Sequence, residues 1–254
     1  MLNFSGLSNG KWWGKAMRAP LRLVPNGATV RVLQGPLQGM KWVAGAATHG
    51  CWLGSYESDK QRRFASFIRP GMKIFDVGAN VGFYTLLSSR LVGPAGQVHA
   101  FEPLPRNLSL LRQHLRLNGL ANVRVWENAA GAAPGSVDFH LGANPMTGHV
   151  GGEGSGGSET IQVEVVSLDN LAEDGRIPLP NLIKCDIEGA EADFLQGAKS
   201  VIRRSKPVLF LATHGPAVHR ACCDLLHSWG YGLESLDSRR LKDTDEILAR
   251  PGKR

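Results

Sequence analysis

An alternation of short apolar runs with longer amphipathic runs begins at residue 72 and constrains the fold more than any other feature. Runs such as KIFDV (73–77) and QVHAF (97–101) have strand length and are mostly apolar. Each is followed by a segment whose apolar residues recur at helical spacing. Strands and helices that alternate in this way indicate βαβ units. Nearly continuous apolar strands are typical of sheets covered on both faces, so we predict an α/β fold with a mostly parallel sheet.

The same pattern continues along most of the remaining chain. We predict further strands over 123–127, 182–186, 207–213 and 231–236, and helices over 81–92, 105–120, 190–203 and 216–229. The alternation breaks between residues 131 and 166, where two extra strands flank the Gly- and Ser-rich segment 142–160. Its composition predicts a flexible loop, which is either a lid over an active site or a surface insertion.

Residues 1–70 predict a separate N-terminal extension. Two alternating runs within 28–45 surround a Gly- and Pro-rich centre, which indicates a β-hairpin, and Ser58 is placed to cap a helix that ends at Ile68. The first 56 residues contain six lysines and arginines and no acid, in a chain of net charge +7. Such a face attracts anions. The face could attract a phosphorylated substrate, a nucleic acid or, through weak contact, an anionic membrane surface; the alternative is a simply solvated face. Residues 71–254 are predicted to form the second domain.

Composition and cysteine usage indicate a cytoplasmic protein. No run approaches the roughly 20 apolar residues that a membrane-spanning helix needs, and the first residues lack the apolar stretch of a secretory signal. The four cysteines contain no CxxC pair. We therefore expect them to be buried, reduced thiols.

The Gly-rich turn FDVGANVG (75–82) lies between a predicted strand and a predicted helix. Gly78 and Gly82 allow the backbone to turn tightly, so that the N–H groups at the helix start face a ligand. Their spacing differs from the G-x-G-x-x-G pattern of dinucleotide sites. Asp76 and Asn80 are unsuited to a phosphate and suit a ligand that carries a cationic amino group and a carboxylate.

Polar residues also follow the second and third predicted strands. Glu102 lies 20 residues after Gly82, where an acid can accept hydrogen bonds from both hydroxyls of a ribose. The alternative is a charge that complements the next helix. Glu127, Asn128 and Ala129 lie at the end of the third strand, where the edge of an adenine could be recognised.

Two acids and a histidine follow the fourth and fifth predicted strands. Asp186 ends a central strand and is expected to face the crevice at the carboxyl edge of the sheet, with Glu188 beside it. Glu191 is better explained as a charge in the first turn of a helix. His214 is a candidate base at neutral pH, with a structural role as the alternative.

A ribose, an adenine and an amino-acid group at successive strand ends together describe S-adenosylmethionine. The chain resembles the FkbM family of class I S-adenosylmethionine-dependent methyltransferases. The matching segments are FDVGANVGFYTLL (75–87), AFEPLPRN (100–107), NAAG (128–131), SLDNL (167–171) and LIKCDIEGAEADFLQGA (182–198). This resemblance implies a Rossmann-like, doubly wound sheet of seven strands, one of them antiparallel. It also implies O-methylation of a small molecule or a glycan.

The resemblance further implies roles for individual residues. The methionine part of the cofactor would be held by Asp76, Gly78, Asn80 and Gly82, the ribose by Glu102, and the adenine side by Asn128 and Ala129. Asp186 would lie near the transferred methyl group.

One departure from the family concerns the end of strand five. Members usually have a Glu there, whereas this chain has Ala212 and Thr213 followed by His214. Either His214 substitutes for the missing acid, or the enzyme is catalytically impaired.

Methyl transfer to a hydroxyl requires in-line alignment and a base within hydrogen-bond reach of the hydroxyl. We expect that base to be Asp186, Glu188 or His214. A divalent cation bound by Asp186 and Glu188 stays open as an alternative, since hard cations take oxygen ligands. No metal is predicted, because two acids alone give little support for one.

Three alternatives stay open beside this function. The first is a nucleic-acid methyltransferase, which the net positive charge favours. Base-directed enzymes of that kind often carry an Asn/Asp-Pro-Pro-aromatic motif after strand four, and this chain has none there. A nicotinamide-dependent oxidoreductase is disfavoured by the turn spacing, and a cofactor-binding module without activity is the third. We expect a small-molecule or glycan acceptor and no nucleic acid.

Overall fold

The computed structural model describes residues 23–141, 148–150 and 160–252. The strands are β1 (Thr29–Arg31), β2 (Lys41–Val43), β3 (Lys73–Val77), β4 (Gln97–Phe101), β5 (Val123–Trp126), β6 (Ala129–Ala130), β7 (Gly135–Leu141), β8 (Gly148–Val150), β9 (Thr160–Val166), β10 (Leu182–Cys185), β11 (Val208–Ala212), β12 (Tyr231–Ser235) and β13 (Glu246–Pro251). The helices are α1 (His49–Leu53), α2 (Ser58–Phe67), α3 (Phe83–Val92), α4 (Pro105–Asn118), α5 (Leu168–Glu173), α6 (Glu191–Gly197), α7 (Lys199–Ser205) and α8 (Pro216–Ser228).

A seven-stranded sheet forms the centre of the molecule, in the order β12–β13–β11–β10–β3–β4–β5. Neighbouring strands from β11 to β5 are parallel, whereas β13 is antiparallel to both β11 and β12. The predicted α/β fold, with a mostly parallel sheet and one antiparallel strand, is confirmed. Parallel order brings the carboxyl ends of β3, β4 and β10 to one edge, where ligands bind in open α/β sheets.

Three local predictions need correction. Glu57, in a left-handed conformation with φ of 43°, precedes helix α2, so Ser58 is its first residue and not its cap. The helix predicted over 190–203 is divided at Ala198 into α6 and α7. Gly197 lies so close to the Gly131 carbonyl that a Cβ atom would be 2.0 Å from the oxygen. Strand β13 was not predicted, because its fully buried apolar part is only three residues long.

The β1–β2 hairpin is confirmed and packs against helix α4. The fully buried Trp42 ring stacks on His114, with 4.0 Å between ring centroids. His114 Nε2 accepts a hydrogen bond from the Val43 N–H at 3.0 Å, and Asn118 Oδ1 accepts one from the Lys41 N–H at 2.8 Å. Burial lowers the pKa of His114, which keeps this acceptor neutral. The hairpin therefore shares a hydrophobic core with one face of the central sheet.

A smaller sheet, in the order β6–β9–β7–β8, contains the two extra strands predicted between 131 and 166. Strand β8 lies inside the segment predicted as the loop 142–160 and pairs with β7 in antiparallel orientation. The rest of that segment lies outside the described residues, as do the first 22 residues of the basic extension.

The four cysteines are free thiols; Cys51, Cys185 and Cys222 are buried as predicted, whereas Cys223 is only half-buried. Within the described residues, no helix combines the length and the apolar character needed to cross a membrane.

Candidate active site

A cavity of about 290 Å³ opens at the carboxyl edge of β3, β4 and β10. Seven of the residues singled out from the sequence line it: Gly78, Asn80, Glu102, Asn128, Ala129, Asp186 and Glu188. Three others, Asp76, Gly82 and His214, are described by the structure and lie outside its lining. Most of the predicted residues thus line one cavity, whereas Asp76, Gly82 and His214 contact residues that form its wall.

The two predicted glycines have different roles. Gly78 has φ of 76°, and a Cβ atom there would lie 1.9 Å from the Asp186 carbonyl oxygen. Only glycine lets the loop after β3 approach the loop after β10 this closely. Gly82, with φ of 96°, precedes α3, and a Cβ atom there would lie 2.4 Å from Leu111 Cδ1 of α4. Its position therefore serves helix packing and not the cavity wall.

Glu102 is held rigidly at the cavity wall by three donors. The Asn80 N–H donates to its Oε2 at 2.8 Å, while the Leu104 N–H and the Asn107 side chain donate to its Oε1 at 3.0 and 3.1 Å. Burial raises the pKa of Glu102, and these three donors oppose that rise because they favour the charged form. The carboxylate is thus positioned before any ligand arrives.

The central cation of the site is Lys184 of β10, which was not among the residues predicted from the sequence. Its buried ammonium donates to the Gly78 carbonyl at 2.9 Å and lies 3.6 Å from Asp76 Oδ1 and 3.7 Å from Asp186 Oδ2. Burial by itself would lower the pKa of Lys184, but Asp186 and Asp76 outweigh it and raise the pKa. Asp76 is 1% exposed and also accepts a hydrogen bond from Thr85 at 2.6 Å. Asp76 does not line the cavity itself but pairs with Lys184, which does.

A lysine within the otherwise apolar run LIKC was the available signal, because a buried charge needs a partner of opposite sign. Its effect on the neighbouring acid is direct. Burial by itself would raise the pKa of Asp186, but Lys184, with help from Lys60 and His214, holds that pKa below its usual range. Asp186 is therefore a carboxylate at neutral pH.

His214 lies among the three acids that follow β10. Its Nδ1 lies 2.8 Å from Glu191 Oε1, while its Nε2 lies 3.7 Å from Asp186 Oδ1 and 3.5 Å from Glu188 Oε2. The hydrogen bond to Glu191 and the surrounding carboxylates raise the pKa of His214 to about 9. Glu191 begins α6 as predicted, but it is also fully buried and orients the histidine.

Part of the cavity wall comes from residues before β3. Tyr56 lines the cavity beside Tyr84 of α3, whose hydroxyl donates to Glu57 Oε2 at 2.6 Å. Lys60 donates to Glu246 Oε1, also at 2.6 Å.

Glu246 is the first residue of β13 and pairs in register with Ala212, at the end of the strand where an acid was found missing. A carboxylate is thus present near that position, but it is supplied by the neighbouring strand. Glu246 could not be predicted as a site residue from the sequence, because β13 itself was not predicted.

The side of the cavity at β6 is mainly apolar. Leu104 and Phe139 belong to a small buried cluster on which Ala129 packs. Asn128 donates to Glu164 at 3.3 Å. An apolar slot with an amide at its edge suits a flat heteroaromatic base.

Comparison with known proteins identifies the family of the chain. A model of the methyltransferase FkbM domain matches residues 76–233, more than half of the chain. The chain is 30% identical over 210 residues to the 31-O-demethyl-FK506 methyltransferase FkbM of Streptomyces tacrolimicus, a match that covers 70% of this chain and 75% of that protein. It is 29% identical over 134 residues to the hexuronic acid methyltransferase AglP of Haloferax volcanii. That match covers 51% of each chain, so it spans about half the length of AglP.

A solved structure shares the architecture. The crystal structure of a methyltransferase FkbM from Methylobacillus flagellatus superposes with a TM-score of 0.51 at 20% identity, over 80% of this chain and 55% of that one. At this identity the superposition shows the fold alone, and it confirms the predicted Rossmann-like sheet. The match of the family model and the Streptomyces relative show more than the fold: the chain belongs to the FkbM methyltransferase family.

Proposed function

We propose that this protein transfers the methyl group of S-adenosylmethionine to a hydroxyl group on a small molecule or a glycan. The observation that carries the proposal is the position of Asp186, a carboxylate on the wall of the same cavity as the buried carboxylate of Glu102. One acid is suited to hold a cofactor ribose and the other to receive a proton. The names of the two relatives, which refer to a hexuronic acid and to a 31-O-demethyl compound, support this class of acceptor.

The residues that line the cavity are chemically suited to each part of the proposed cofactor. Glu102 would hold the ribose hydroxyls, and the slot beside Asn128 and Ala129 would hold the adenine. The loop that contains Gly78 and Asn80 would hold the methionine part. When bound, S-adenosylmethionine supplies a methyl group already activated on a positively charged sulfur, which keeps the electron pair of the broken bond.

The charges of the site narrow the choice of base. With a pKa of about 9, His214 is protonated at neutral pH and cannot accept a proton. In that state the carboxylates of Asp186 and Glu188, both on the cavity wall, are the available acceptors. His214 then stabilises their negative charge. A base must lie within hydrogen-bond reach of the acceptor hydroxyl, and the cavity wall meets that condition.

The first experiment is calorimetric titration of the full chain with S-adenosylhomocysteine. We expect micromolar binding, and a dissociation constant at least tenfold higher, about 1.4 kcal/mol, in Glu102→Gln. Glu173→Gln, at an exposed acid that ends α5 and lies outside the cavity lining, is the matched control and should bind as the wild type does. Absence of binding by a folded sample, or equal affinity in Glu102→Gln, would contradict the assigned site.

The second experiment measures methyl transfer from labelled cofactor to a panel of methyl glycosides, with and without a uronic acid carboxylate. Transfer to a hydroxyl gives an ether that survives mild base, whereas transfer to a carboxylate gives an ester that does not. We expect base-stable product, and slower turnover in Asp186→Asn with cofactor binding retained. A base-labile product would overturn hydroxyl methylation. Full turnover in Asp186→Asn would exclude Asp186 as the base.

A further inference from the structure

We propose that Asp186, Glu188 and His214 form a binding site for one divalent transition-metal ion at the mouth of the cavity. Each residue offers one ligand atom, and the three atoms lie within 4.8 Å of one another. The set comprises an imidazole nitrogen and two carboxylate oxygens, from the ends of two adjacent parallel strands. The inference goes beyond the proposed function, because it rests on this geometry and not on the identity of the acceptor.

The orientation of His214 is independent support. Glu191, which is fully buried, lies 2.8 Å from Nδ1 and is itself held by the Gly189 N–H at 3.0 Å. A carboxylate on one ring nitrogen is the usual arrangement behind a metal-bound histidine, since it fixes the tautomer and the direction of the other nitrogen. Here the other nitrogen, Nε2, faces Asp186 and Glu188.

The distances fit coordination better than direct pairing. Nε2 lies 3.7 Å from Asp186 Oδ1 and 3.5 Å from Glu188 Oε2. Charge-assisted hydrogen bonds are shorter, about 2.7–2.9 Å. Metal–ligand bonds of about 2.1 Å place neighbouring ligand atoms about 3.0 Å apart in an octahedron and about 3.4 Å apart in a tetrahedron. The two nitrogen–oxygen distances lie within a few tenths of an ångström of the tetrahedral spacing. All three atoms lie within 4.8 Å of one another, so closure around an ion also requires the two acid side chains to move closer together.

The local charge also favours a cation. Three carboxylates, those of Asp186, Glu188 and Glu191, surround His214. Lys184 lies near Oδ2 of Asp186, which leaves Oδ1 on the side of the histidine. A metal ion would displace the proton from Nε2 of His214, so that binding releases a proton. The resulting neutral imidazole with two carboxylates suits Mn²⁺ or Zn²⁺. Three protein ligands leave coordination positions for water or an acceptor oxygen, and a metal there would lower the pKa of a bound hydroxyl.

The test is titration of the EDTA-treated full chain with Mn²⁺, followed by the electron paramagnetic resonance signal of free Mn²⁺, without cofactor or acceptor. We expect one bound ion per chain. Glu188→Gln, at a half-exposed side chain whose change should not disturb folding, should raise the dissociation constant at least tenfold, as should His214→Ala. The matched control is His227→Ala, at an exposed histidine of α8, which should leave binding unchanged.

Glu191→Gln tests the orienting carboxylate. We expect a roughly 10- to 100-fold loss of metal affinity, the size typical of such outer partners. Thermal unfolding of the same sample shows whether the variant is folded. Failure to bind Mn²⁺ at millimolar concentration, or binding that is the same in Glu188→Gln and His214→Ala as in the wild type, would overturn the metal site. S-adenosylhomocysteine binding by the EDTA-treated protein is measured in parallel, so that loss of the metal site and loss of the proposed function are distinguished.

Discussion

Replacement of Lys184 by methionine tests whether the buried ammonium holds the site together. The change keeps most of the side-chain volume but leaves Asp76, 1% exposed, without the cation 3.6 Å away. Burial pushes the pKa of Asp76 upward, and Lys184 is the main group that opposes it. Without Lys184, the buried carboxylate should therefore take up a proton on folding.

That proton uptake sets the magnitude. Protonation of a carboxyl group with a pKa of about 3.9 costs about 4 kcal/mol at pH 7, at about 1.4 kcal/mol per pH unit. This is the upper limit of the loss, because burial raises the pKa of Asp76 even with Lys184 beside it. The value agrees with the roughly 3–5 kcal/mol lost when one partner of a buried ion pair is removed. For a chain of this size we expect the melting temperature to fall by roughly 10 °C.

Urea denaturation followed by tryptophan fluorescence measures the loss, and two further results identify its cause. The folded variant binds one proton more than its unfolded state above pH 4, so its deficit should shrink by about 1.4 kcal/mol per pH unit as the pH falls from 7. The double variant Lys184→Met with Asp76→Asn should recover at least half of the lost stability. A loss below about 1 kcal/mol, or no recovery in the double variant, would refute the role assigned to this pair.

The remaining predictions concern two glycines and a buried histidine. Gly78→Ala should abolish S-adenosylhomocysteine binding in calorimetry and lower the melting temperature, because its Cβ would lie 1.9 Å from a backbone carbonyl that cannot move aside. Gly82→Ala meets the flexible end of Leu111, so it should lower the melting temperature but change cofactor affinity less than Gly78→Ala; the reverse order would contradict the roles assigned to them. Burial lowers the pKa of His99 to about 4, so its unfolded state binds a proton that the folded state does not. Between pH 6.5 and 4 the wild type should therefore lose up to about 3 kcal/mol of stability relative to His99→Asn, and parallel pH profiles in urea denaturation would exclude this.

Strands of the central sheet could be predicted where their burial leaves a clear apolar pattern in the local sequence. Residues 73–77 and 97–101 are buried on both faces, so their sequence is almost continuously apolar and both bounds were predicted without error. Strand β13 has three fully buried apolar residues and ends at a proline, so it carries a weaker local signal. Its place in the sheet is decided by pairing with β11 and β12, which no local pattern shows.

The same distinction applies to the site. Asp186 and Glu102 could be found because parallel strands necessarily bring their carboxyl ends to one edge. Lys184 could not be assigned, because its partner at Gly78 lies 106 residues away in the chain. The orienting role of Glu191 likewise depends on a contact with His214, 23 residues further on. Positions that follow from strand direction are readable from a sequence, whereas positions that follow from pairing between distant side chains are not.

The stacking of Trp42 on His114 has a consequence for where this protein can be shortened. Residues before β3 bury their apolar side chains on α3 and α4, and they supply Tyr56 to the cavity wall. A fragment limited to the family-matched residues 76–233 would expose that apolar face to water and open one side of the cavity. It would also lack β13, which lies between β11 and β12. The smallest autonomous folding unit should therefore be larger than the segment by which the family is defined.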